Sequence, residues 1–130
     1  MIQFKIIHRL LNVKEYLKKC NLEPEDDCPF CDEVESIEHV FLYCSYNDNF
    51  FNKCKAWIDN ILEVSFPISP EEILFSIKNE TSDIIIDLYN RFFFLAKNFL
   101  WKSRYVNATP SLIYFFNFLY DEIYYELCVL

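Results

Sequence analysis

Residues 28–44 read CPFCDEVESIEHVFLYC, and the spacing inside them, Cys28-x2-Cys31-x7-His39-x4-Cys44, decides how the rest of the chain is read. Zn2+ takes four thiolate or imidazole ligands in a tetrahedron, and a C-x2-C pair bent by Pro29 offers two sulfurs from one tight turn. The second pair comes from residues 35–44, which read as a short helix capped by Ser36, with the acids Glu35 and Glu38 at its positive end. Five residues on a regular helix turn through about 500°, or about 140° net, so His39 and Cys44 face one metal only where the helix has unwound at Cys44. Three cysteines and one histidine close the shell and leave no position for a reacting water. One structural Zn2+ is therefore predicted, and a metal hydrolase is not.

Outward from this segment the chain reads as mainly α, a small helical domain spanning 1–130 with the CCHC knuckle (28–44) near its N-terminal third. Residues 1–20 form a basic amphipathic helix, or two short ones broken near Asn12, with Phe4, Ile7, Leu10, Leu11, Val13 and Leu17 as the apolar side. Residues 21–27, with Pro24 and four acids, are a loop into the knuckle. The helical region covers 48–130. A helix over 48–63 buries Phe51, Trp57, Ile58, Ile61 and Leu62, and Ser69 with Pro70 starts the next. The longest periodic run, 82–105, presents Ile85, Leu88, Tyr89, Phe92, Leu95, Ala96, Phe99 and Leu100 as its inner face. Phe94 and Trp101 fall on the opposite side, near Asn90, Lys97 and Arg104. A last helix from Thr109-Pro110 turns Leu112, Phe115, Phe116, Leu119, Ile123 and Leu127 inward and packs antiparallel to the one before it.

The chain contains no glycine, which excludes P-loops and Rossmann turns and forces Asn or Asp into the left-handed positions of helix ends. No apolar run is long enough to span a bilayer, and residues 1–9 lack a cleavable leader pattern. The expectation is an intracellular protein, cytoplasmic or nuclear and not secreted, with no membrane partner. In that compartment Cys20, Cys54 and Cys128 read as small buried hydrophobes, although six cysteines also admit disulfides. A net charge of −8 opposes a generic phosphate-binding surface. Its distribution is uneven: residues 1–20 set Lys5, Arg9, Lys14, Lys18 and Lys19 against Glu15 alone, whereas residues 21–52 hold nine acids and no Lys or Arg.

Cys28-Pro29-Phe30-Cys31, the Glu35-Ser36-x-x-His39 element, Cys44 and the pair Phe50-Phe51 together resemble the zinc-binding segment at the C-terminal end of non-LTR (LINE-type) retrotransposon reverse transcriptases. Residues 4–11 resemble the helix before that knuckle, and 96–104 a helix after it. The resemblance implies a non-catalytic accessory region that follows a polymerase domain and helps hold template RNA or target DNA. It does not imply polymerization here. The Tyr-x-Asp-Asp motif is absent, since Asp26-Asp27 belongs to a loop and Tyr120-Asp121-Glu122 to a helix.

Two functions remain open. A nucleic-acid-associated module would make its contacts through Lys5, Arg9 and Lys14, and through Lys97, Lys102 and Arg104 with Trp101 stacking on a base. A zinc-stabilised helical interaction module would dock onto a polymerase domain or another protein and never touch phosphate. Charge geometry separates them: gathering the cations on one face favours the first, scattering them among acids the second.

Overall fold

The structure, a computed structural model, describes residues 2–129 of the chain and the side chains of residues 2–122. Its helices are α1 (Ile2–Ile7), α2 (Lys14–Lys19), α3 (Phe50–Leu62), α4 (Pro70–Phe75), α5 (Ile84–Tyr105) and α6 (Leu112–Val129). The fold is mainly helical, and the only extended pairing among the described residues is one antiparallel bridge, Asp27 to Val34. Asn12 does break the N-terminal segment into two short helices. Its inner residues are Ile6, Leu11 and Val13, while Phe4, Ile7 and Leu10 stay outside. The exposed Cys20 likewise departs from the buried position expected of it, and Cys54 keeps that position in the core. Ile123, Leu127 and Cys128 lie outside the residues whose side chains are described.

With no glycine available, the chain ends its helices on other residues in the left-handed region. Arg9, Asn21, Glu63 and Asn107 all have φ between 55° and 59°. Each donates its N–H to the carbonyl three residues back, and the next residue donates to the carbonyl five back, as Val64 does to Asp59 at 3.1 Å. This double closure satisfies carbonyls that a helix end leaves free. Asn supports the left-handed conformation at low cost, but Arg9 and Glu63 carry a strain of roughly 1–2 kcal/mol that the closure must offset. At the other end of α4, Ser69 and Glu72 form the reciprocal cap expected where Pro70 opens the helix.

Aromatic packing assembles the C-terminal part. Phe115 of α6 is fully buried and meets Phe50 of α3 edge-on at 5.4 Å and Phe92 of α5 at 5.5 Å. One residue turn further along α6, Phe118 lies against Phe99 and under Lys102. Phe115 also meets Phe99 at 5.3 Å, so the first two turns of α6 pack on the stretch of α5 from Phe92 to Lys102. On α3, Ile58 is buried and Trp57 stacks on Phe92, whereas Ile61 is exposed.

Helix α5 is enclosed on more than one side. Tyr89, Phe92, Leu95, Ala96 and Leu100 are buried as the periodicity predicts, Leu88 is exposed, and Phe93 joins the core as well. The opposite stripe, Asn90, Lys97 and Arg104, is spaced by seven residues and so lies along one line of the helix. Each member binds a different segment. Asn90 pairs its amide with both backbone groups of Ile77, at 2.7 and 2.9 Å. Lys97, 1% exposed, donates to the Gln3 side chain and to the Leu74 carbonyl at 2.9 Å, joining α1 and α4 to α5. Arg104 reaches the knuckle.

Burial pushes the Lys97 amine down to about 7. An unfolded lysine titrates near 10.4, so between these values the unfolded chain holds a proton that the folded chain has released. Stability should therefore be insensitive to this group below about pH 7 and climb between about 7 and 10, with a slope of up to about 1.4 kcal/mol per pH unit. Urea unfolding of wild type and Lys97→Met across that window checks this, because the climb should be smaller in the variant while other titrations are common to both.

Candidate metal centre

The knuckle is built from two local devices. In the first, residues 26–35 fold back on themselves: Cys28 N–H donates to the Glu33 carbonyl at 2.7 Å, and Glu35 N–H to the Asp26 carbonyl at 2.8 Å. Pro29 and Phe30 form the tip, which aims the amides of Phe30 and Cys31 at the Cys28 sulfur. The second device is a π turn over His39–Tyr43, entered through Ser36, whose hydroxyl accepts from His39 N–H at 3.0 Å. Cys44 N–H donates to the His39 carbonyl at 2.8 Å, a closure over five residues in place of four, and Cys44 itself is extended. The wider turn brings His39 and Cys44 to one side, which is the unwinding that the x4 spacing demanded.

That closure has a consequence for Val40. In a regular helix its carbonyl would accept from Cys44 N–H, which is now used elsewhere. The buried Asn47 supplies the replacement through Nδ2 at 2.6 Å.

The four ligand atoms lie within 4.8 Å of one another. Cys28 Sγ and Cys44 Sγ are 3.8 Å apart, and Cys31 Sγ is 3.2 Å from His39 Nε2. A tetrahedron with Zn–S of about 2.3 Å and Zn–N of about 2.0 Å has edges of about 3.8 Å between sulfurs and about 3.5 Å from sulfur to nitrogen. The donor set and its spread fit Zn2+, with Cys28, Cys31 and Cys44 giving sulfur and His39 giving Nε2. Cys28, His39 and Cys44 are buried, and no disulfide links the cysteines among the described residues.

The electrostatics of the cluster point the same way. Burial raises the Cys28 thiol, but the amides of Phe30 and Cys31 and the Arg104 guanidinium outweigh it and leave its pKa below the ordinary value. Cys31 is pushed up to about 11, chiefly by burial and also by the neighbouring Cys28 and Cys44 sulfurs. Burial, then Arg104, lowers His39, which keeps its imidazole in the neutral, ligating form. The Cys28 sulfur ionises more easily than a free thiol and makes Cys31 harder to ionise. A divalent cation at the centre removes that conflict.

Glu35 and Arg104 complete the surroundings. Glu35 Oε1 accepts from Lys14 N–H at 2.9 Å at the start of α2, and Oε2 accepts from Arg104 Nη2 at 2.9 Å. The same Nη2 lies 3.2 Å from Cys28 Sγ, and the guanidinium sits over the Phe30 ring at 4.8 Å. Phe30 in turn stacks on Tyr46 at 3.9 Å, and Tyr46 donates to the Asn107 carbonyl at 2.9 Å. Sequence reasoning missed Glu35, Phe30, Tyr46 and Asn47 in these roles, because none has a partner at a periodic spacing. Glu35 carries no mark of its own, since it is one of four acids in residues 28–44.

The residues proposed for phosphate contact do not gather. Lys97 and Arg104 are buried and hydrogen-bonded inside the fold, which removes both from any phosphate surface. Trp101 is half-buried against the core, tilted on Phe41 at 6.4 Å. Arg9 pairs with Glu38, Lys14 with Glu23 at 3.7 Å, Lys18 with Asp26 at 3.8 Å and Lys19 with Glu15 at 3.5 Å. Lys5 and Lys102 remain exposed, the latter over the Phe118 ring. No helix among the described residues is long and apolar enough to cross a membrane.

A family model described as zinc-binding in reverse transcriptase matches residues 1–51, from α1 through the knuckle to the first turn of α3. No curated protein matches the chain. No solved structure matches it either.

Removing a ligand should expose the metal's share of stability. In zinc-containing buffer Cys44→Ser is expected to cost on the order of 4 kcal/mol, whereas Cys20→Ser stays within about 0.5 kcal/mol. Chemical unfolding with and without EDTA checks this: the chelator should erase most of the difference between Cys44→Ser and wild type.

Proposed function

We propose that the chain is a non-catalytic module in which one Zn2+, held by Cys28, Cys31, His39 and Cys44, fixes the knuckle of the kind found in non-LTR retrotransposon reverse transcriptases. In that setting it assists the binding of template RNA or target DNA next to a polymerase domain. The observation that carries this reading is the convergence of the four donor atoms inside the segment matched by the reverse-transcriptase zinc-binding family. The metal's chemistry here is structural: three sulfurs and one nitrogen fill its shell and leave no open position.

Phosphate contact falls to fewer residues than the sequence suggested. Lys5 and Lys102 offer exposed charge, while Arg9 and Lys14 meet acids of residues 23–38 before they meet a phosphate. One observation favours the second reading, a protein-docking module. Phe4 and Ile7 of α1 and Leu10 after it lie 54%, 50% and 42% exposed, an apolar strip beside the basic residues.

Binding of labelled single-stranded RNA to the zinc-loaded chain tests the first reading. Two phosphate contacts predict weak affinity with a log–log salt slope of about −1.4 on a single strand, and a loss on Lys5→Ala or Lys102→Ala that is uniform across sequences. Zinc-loaded chain that binds no RNA at low salt, yet copurifies with a reverse transcriptase polymerase domain and loses it on Ile7→Asp, establishes the docking module instead. Elemental analysis of the purified chain should return one zinc per molecule.

A further inference from the structure

Arg104 is 6% exposed and lies in the last turn of α5, far outside the segment matched by the zinc-binding family. A guanidinium withdrawn from water needs compensating charge and acceptors for its planar set of donors. Glu35 supplies part of both through Nη2 at 2.9 Å. The remainder faces sulfur. Nη2 also lies 3.2 Å from Cys28 Sγ, Cys44 acts on the same guanidinium, and Nη1 is buried with no hydrogen-bond partner among the described residues.

A divalent cation with three thiolates and a neutral imidazole leaves one net negative charge on the cluster. Cys28 and Cys44 are each 5% exposed, so on their side of the cluster water does little to spread that charge, and only the half-buried Cys31 opens toward it. A buried charge without a partner costs several kcal/mol. Arg104 is the cation placed against it. Phe30 beneath the guanidinium, Glu35 on its edge, and the Tyr46 hydroxyl on the Asn107 carbonyl hold the end of α5 in register with the sulfurs.

We propose that Arg104 belongs to the metal centre without touching the metal, donating to the ligand sulfurs, balancing the charge of the loaded cluster and locking α5 onto the knuckle when metal is bound. The proposal rests on the zinc reading above. It makes the centre a joint property of residues 28–44 and of a helix that begins forty residues after the last ligand. Metal binding should then tighten the docking of α5, because the loaded cluster adds a charge for Arg104 to balance.

The full chain, reconstituted with Zn2+ and separately with Co2+, provides the test. Arg104→Met should weaken Zn2+ about 10–100-fold in competition with a chelator, the usual effect of losing a group that supports metal ligands. It should also move the sulfur-to-cobalt absorption to lower energy, because a thiolate relieved of a hydrogen-bond donor gives up its electron more easily. Glu35→Gln leaves the donation to sulfur in place, so it should cost less affinity and leave the band unmoved. Arg104→Lys keeps the charge but not the fork, and it is the variant to read if Arg104→Met does not fold; a shifted band supports the proposal. An unmoved band in the Arg104 variant that folds overturns it, as do equal affinity losses in Arg104→Met and Glu35→Gln, which an ion pair of purely structural value would give. Wild-type chain that takes up no Zn2+ overturns the metal reading itself, and this proposal with it.

Discussion

Three sulfurs and an imidazole brought to one point form a polar cluster that the fold has to hold largely out of water. Amides of Phe30 and Cys31 turn toward Cys28, an amide of Glu33 toward Cys31, and the guanidinium of Arg104 closes the side facing the core. Such donors are worth most where the surroundings are dry, because a low local dielectric strengthens the attraction that remains after desolvation. The rest of the molecule follows from placing Arg104. It requires α5 to run long enough to pass the core and reach the knuckle, and it requires α3 and α6 to pin that helix through Phe50, Phe92 and Phe115.

Helix α5 behaves as a spine with two working faces. Its apolar face makes the aromatic core. Its polar stripe, Asn90, Lys97 and Arg104, binds in turn the loop after α4, the α1–α4 pair and the knuckle. A polar residue on the outer face of an amphipathic helix is ordinarily solvated, and each of these three is withdrawn because a neighbouring segment presents a backbone group, an amide or a carboxylate to it. The stripe therefore gives register to segments that apolar packing alone would hold loosely. Gln3 and Leu74 illustrate this, since the Leu74 carbonyl accepts from both Gln3 and Lys97 and ties the first and fourth helices to one point on α5.

The same withdrawal changes what the surface can do. Arg9 and the lysines of α2 are matched locally by Glu38, Glu23, Asp26 and Glu15, so much of the basic N-terminal segment is neutralised where it meets the knuckle. Exposed pairs of this kind contribute little stability, but they reduce the field available to a distant polyanion. The N-terminal surface is one of mixed charge, with an apolar strip that starts on α1.

The sequence by itself determined the candidate metal-ligating set and the helical class, because both depend on local spacing. Cys28, Cys31, His39 and Cys44 lie within seventeen residues, and their separation demanded a break from regular helix that the π turn at His39–Tyr43 provides. Periodicity likewise announced most of the inner face of α5, and Ser69-Pro70 announced the start of α4. Only the tertiary structure decided which charges are surface and which are core. A lysine and an arginine look alike in a periodic pattern whether they face water or a carbonyl, and only the arrival of Leu74, Glu35 and Cys28 from elsewhere in the chain distinguishes the two. The left-handed positions at Arg9 and Glu63 were hidden for a related reason: without glycine, the double hydrogen-bonded closure at the helix end selects the conformation, and residue type does not.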